Sequence, residues 1–118
     1  MDDTIALVRR FLDALDQADG AAAAALLHED VVIDSGSGNR QIGQDAFRHQ
    51  AARRVARGER RQDVVIMASA DGSRAAAEFT LKGRDGAGEA YSVNAAMVLA
   101  VADGRIERLT LWGFPPEH

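Results

Sequence analysis

At 118 residues, with 47% hydrophobic and 27% charged side chains, the chain has the composition of a globular unit rather than a disordered segment. It contains no cysteine, which excludes disulfides and thiolate metal sites. Eighteen acidic against fourteen basic side chains give a net charge of −4, so bulk electrostatics offers no attraction to nucleic acid or to an anionic membrane.

The first residues, Met1-Asp2-Asp3-Thr4, are acidic where a secretory leader is basic, and no apolar run approaches the roughly 20 residues of a membrane span. A cytoplasmic protein is expected, with residues 1–118 forming a single domain. Asp2 or Asp3 can cap a first helix, in which Ile5, Val8, Phe11, Leu12 and Leu15 recur at three- and four-residue spacing and mark one buried face. Asp19-Gly20 breaks it. Ala21 to Leu27 reads as a second short helix, and Val31-Val32-Ile33 as a short β-branched strand. Ser35-Gly36-Ser37-Gly38-Asn39 is a loop by composition. Gly43 to about Arg57 reads as a third helix with Ala46, Phe47, Ala51 and Val55 inward.

Beyond that point three Asp-Gly pairs, at 71–72, 85–86 and 103–104, each supply a hairpin turn and divide the remainder into four strands, roughly 62–70, 73–83, 89–101 and 105–113. Helices first and an antiparallel meander afterwards is the order of an α+β fold.

Three groups of residues could carry chemistry. Asp34 follows a β-branched run and precedes the glycine-rich loop. There a carboxylate held against apolar walls, with its pKa raised by desolvation, would serve as a general base, while a turn cap is the plain alternative. Asn94 shares one strand face with Ser92, Ala96 and Val98. If that face is inward, its amide could orient a substrate carbonyl. His28, His49 and His118 are too scattered for a metal site. The basic run Arg53, Arg54, Arg57, Arg60 and Arg61 has no interleaved aromatics and reads as a solvated helix face, and Trp112 and Phe114 as closing a core or an oligomer interface.

Taken in order, Val8-Arg9-Arg10-Phe11-Leu12-Asp13-Ala14-Leu15, the run from Val32-Ile33-Asp34 to Gly43-Gln44-Asp45-Ala46-Phe47, and Asp103-Gly104-Arg105-Ile106 resemble the nuclear transport factor 2-like superfamily, which includes ketosteroid isomerases and SnoaL-like polyketide cyclases. The resemblance implies a cone-shaped fold, with three N-terminal helices packed on a curved antiparallel sheet around a mostly apolar pocket. It also implies a homodimer formed through the outer sheet face. Counted back from Gly43, Asp34 falls where the isomerases keep their proton-moving aspartate. Their oxyanion hole pairs a tyrosine with a protonated aspartate. Here Phe11 and Ala96 stand at those positions, and losing even one such donor costs a factor of about 100 to 1,000 in turnover. The expectation is a SnoaL-like pocket protein acting on a small apolar carbonyl compound, with Asp34 as general base, Phe11, Asn94, Ala96 and Phe47 around the substrate, and no metal or organic cofactor. The alternative is a non-catalytic ligand-binding or dimerisation module of the same fold.

Overall fold

The structure is a computed structural model that describes residues 2–35 and 38–115. His118 and part of the glycine-rich loop lie outside the described residues. In chain order the elements are α1 (Asp2–Asp16), α2 (Gly20–Ala25), β1 (Leu27–Ser35), β2 (Arg40–Ile42), α3 (Gln44–Ala56), β3 (Arg60–Ala68), β4 (Arg74–Arg84), β5 (Ala90–Ala102) and β6 (Arg105–Trp112).

The apolar stripe of α1 is buried as its spacing demands, with Val8 and Phe11 fully enclosed and Leu7, Leu12 and Ala14 beside them. The break between the first two helices falls at Ala18, which adopts a positive φ of 60°. Gly20 lies inside α2 instead, and Asp19 caps that helix by accepting a hydrogen bond from the Ala22 amide at 3.0 Å.

One curved sheet runs in the order β2-β1-β6-β5-β4-β3. Strands β3 to β6 form the expected antiparallel meander. The sheet as a whole is mixed, because β6 slots between β5 and β1 and runs parallel to β1, with Ile33 opposite Leu109. The expected helices on a curved, chiefly antiparallel sheet are thus present, with one parallel pair, β1 and β6, added. β1 is also longer than its β-branched core, and the short strand β2 had no counterpart in the sequence reading. Of the three Asp-Gly pairs, only Asp103-Gly104 has both residues at positive φ, 53° and 74°, as a two-residue hairpin loop between Ala102 and Arg105 requires. The turn at 85–89 uses Gly88 for its positive φ instead.

Alternation then decides which side chains meet the helices. Tyr91, Val93, Ala95, Met97 and Leu99 of β5 point to the core, as do Leu109 and Leu111 of β6 and Val31 and Ile33 of β1. The helices close over this face, leaving the other face of the sheet uncovered by them. Among the described residues no helix is long and apolar enough to cross a membrane.

Candidate functional site

Between α1, α3 and the inner sheet face lies a narrow cleft of about 40 Å³. Its walls are apolar. Phe11 from α1 and Phe47 from α3 meet with ring centroids 5.6 Å apart, and Ile33, Met97, Leu109 and Leu111 form the floor. Phe11 and Phe47, expected around the substrate, thus both line this cleft. The free space is far below the several hundred Å³ of a site for a drug-sized ligand. A bound molecule must therefore be small or must part the rim, where Val55 is 40% exposed rather than inward.

One end of the cleft is charged. Glu59 places Oε2 2.8 Å from Arg54 Nη1 and Oε1 2.9 Å from Arg61 Nη2, while Arg61 Nη1 reaches Asp16 Oδ1 at 3.0 Å. The side chains of Glu59 and Arg61 are each only 4% exposed and that of Arg54 14%, whereas Asp16 sits at the rim. Two guanidiniums therefore share one enclosed carboxylate. The Nε–H groups of both arginines are buried with no hydrogen-bond partner, an arrangement that costs desolvation energy unless an acceptor is supplied. Aromatic faces hold the cations in place: Arg54 lies 5.0 Å from the centroid of Phe114 and Arg61 5.5 Å from that of Phe79. Phe79 and Phe114 meet edge to face at 6.0 Å. Nearby, burial and then the Glu59 carboxylate push the Tyr91 phenol above its ordinary pKa, so that it stays protonated.

This cluster corrects one expectation. The basic run is not one solvated face, because Arg54 lies on the inner side of α3 and Arg61, alternating with exposed Arg60, points inward from β3. Trp112 and Phe114 part company: Trp112 is 50% exposed on the outer sheet face, whereas Phe114 lines the cleft.

Asp34 is not in the cleft. Since Val31 and Ile33 face inward, Asp34 faces the other side of the sheet, where it accepts hydrogen bonds from Arg40 Nε at 2.7 Å and from Arg108 Nη2. The Arg40 hydrogen bond, together with that of Arg108 and both positive charges, outweighs desolvation and holds the Asp34 carboxyl below its ordinary pKa of 3.8. A raised pKa in a greasy pocket was the physical basis for a general base here, and the ion pairs remove it. Nor does Asp34 cap the loop; Ser35 Oγ does so, accepting from the Asn39 amide at 3.1 Å. Asn94 is exposed opposite Thr80, and Ala96 lies between Glu78 and Trp112, so both are on the outer face and away from the cleft. His28 and His49 are exposed, and the described residues contain no cluster of three or more metal-ligating side chains.

Comparison with known proteins gives a family for this geometry. The model of the SnoaL-like domain matches residues 8–109. A candidate polyketide cyclase from Xanthomonas campestris pv. campestris is 30% identical, over 94% of this chain and 90% of that one, with a TM-score of 0.87. Another, from Pseudomonas putida KT2440, is 36% identical over 89% and 86% of the two chains, with a TM-score of 0.77. At 23% identity, a candidate ketosteroid isomerase from Kribbella flavida shares the fold, covering 100% of this chain and 82% of its own, with a TM-score of 0.82. No curated protein matches the sequence. A family match over most of the length, with the cone of helices on a curved sheet, establishes that this chain belongs to the SnoaL-like domain family.

Proposed function

We propose that the cleft binds a small, mostly apolar molecule through its walls and receives a carbonyl or carboxylate oxygen of that molecule at the Arg54–Glu59–Arg61 end. The observation that carries this reading is the pair of buried guanidiniums, each with an unmatched Nε–H, at one end of an otherwise apolar cleft. A ligand oxygen entering that end would meet two cations held in place by Glu59 and by aromatic faces. In the same position a polarised carbonyl would have its developing negative charge stabilised by fixed cations in a dry site. Such electrostatic assistance fits the cyclase description of the two relatives above. Both oxygens of Glu59 are engaged by guanidiniums, so ring closure would draw on the electrophilic side of the site. If the relatives' chemistry is absent, the same features describe a binding module.

Thermal-shift titration with medium-chain methyl ketones, and with carboxylic acids of equal length, tests the proposal. Stabilisation is expected for the native chain. It should weaken at least tenfold in Arg54→Gln, since a hydrogen bond to a charged group contributes about 1.5–3 kcal/mol. It should vanish in Ala51→Phe, which fills the cleft. Equal stabilisation of all three proteins would place the ligand elsewhere.

We also propose that two copies pair through the outer sheet face, which carries Val65, Met67, Val98 and Trp112 as exposed apolar side chains.

A further inference from the structure

At the end of the sheet where β3 begins, a groove of about 390 Å³ opens, lined by Arg57, Arg60, Lys82, Arg84, Tyr91 and Ser92 among others. No carboxylate lines it, in a chain whose net charge is −4. Its cations are placed by strand register. Arg60 stands directly opposite Lys82 across the β3–β4 pair, and Lys82 opposite Ser92 across β4–β5. Arg84 follows on the same side of β4, with its Nη1 donating to the Gly88 carbonyl at 2.9 Å.

Like charges directly opposite on a sheet repel and destabilise the pairing. Neither Arg60 nor Lys82 has an ion pair or side-chain hydrogen bond among the described residues to relieve that repulsion. Stability alone gives no reason to keep them there. A multivalent anion does, because one phosphoryl group carries up to two negative charges and three acceptor oxygens that several donors can share. The Ser92 hydroxyl adds a neutral donor at the same groove.

We propose that this groove binds a phosphate-bearing group. The site is distinct from the cleft. Arg60 and Arg61 are neighbours in β3 that point to opposite sides of it, so the groove is occupied from the outer face. The groove also lies off the centre of the apolar patch. Ser92 is four residues along β5 from Ala96, the partner of Trp112, a distance of roughly 13 Å at 3.3 Å per residue.

Calorimetric titration with inorganic pyrophosphate at low ionic strength tests the proposal. Saturable one-to-one binding is expected, weakening as salt is added. The double variant Arg60→Gln/Lys82→Gln should bind at least tenfold more weakly while melting no lower than the native chain, since it removes a repulsion. The control Arg9→Gln/Arg10→Gln, which makes the same change in net charge on the exposed side of α1, should bind as the native chain does. Absence of saturable binding overturns the proposal. So does equal weakening in both double variants, which would mean that pyrophosphate responds only to total charge.

Discussion

Asp34 and Ile33 are adjacent in β1 and serve opposite sides of the sheet, and that single step in parity separates a cleft residue from an ion-paired one. The role left to Asp34 is to hold Arg40, its cross-strand partner in β2, and Arg108 in β6. Its pKa is lowered on folding, so its contribution to stability is complete above the ordinary value of 3.8 and is lost as the pH falls through the lower folded-state value. Asp34→Asn is therefore expected to lower the melting temperature at pH 7, with the difference from the native chain shrinking below pH 3.8, and to leave ligand binding in the cleft unchanged. Melting curves across that range and the thermal-shift titration check both halves. Loss of cleft binding would return Asp34 to the site. Strand parity was partly legible beforehand. In β5 the set Tyr91, Val93, Ala95, Met97 and Leu99 is more apolar than Ser92, Asn94, Ala96 and Val98, which argues for the orientation seen. In β1 the run Val31-Val32-Ile33 is β-branched on both faces and hides it.

Elements matter to the cleft through two connections. The first is the network in which Asp16 at the end of α1, Arg54 on α3, Glu59 in the following turn and Arg61 on β3 tie three elements together. Removing its central anion strands two buried cations, which typically costs about 3–5 kcal/mol. Glu59→Ala should accordingly be strongly destabilised in denaturant melts, and a loss below about 1 kcal/mol would show that solvent reaches the arginines. The second is Gly113, where the chain leaves β6 at a φ of 77° and brings Phe114 to the cleft. A Cβ there would lie 2.5 Å from the Asn94 carbonyl oxygen. Gly113→Ala is expected to cost at least about 1–3 kcal/mol from the backbone conformation alone and to displace Phe114 from Arg54, measurable by urea unfolding and by Phe114 ring shifts in NMR. Periodicity exposed α1, α3 and the four-strand meander in the sequence, since each repeats over several turns or residue pairs. It missed β2, whose three residues are too few to show a pattern, and it assigned Arg60 and Arg61 to a helix end. Starting β3 two residues earlier is what turns Arg61 inward.

At the scale of the whole molecule the sheet has two faces with different fates, since the helices cover only one. On the other, Val65, Glu78, Ala96 and Trp112 form one cross-strand row, and Met67, Ala76, Val98 and Thr110 the next. The rows span four strands, roughly 14 Å at the usual inter-strand spacing, so the exposed apolar side chains are contiguous rather than scattered. A contiguous patch on a sheet is self-complementary about a two-fold axis, the symmetry that most small oligomers adopt. Light scattering at micromolar concentration is thus expected to give twice the chain mass. Val98→Glu places a charge at the middle of the second row and should yield a monomer with an unchanged circular dichroism spectrum, because residue 98 is already 37% exposed within one copy. In the dimer Trp112 should emit at shorter wavelength than in that variant, since pairing would withdraw it from water. A native chain that scatters as a monomer, with Trp112 emission identical in both proteins, would leave the patch unpaired and remove the proposed interface.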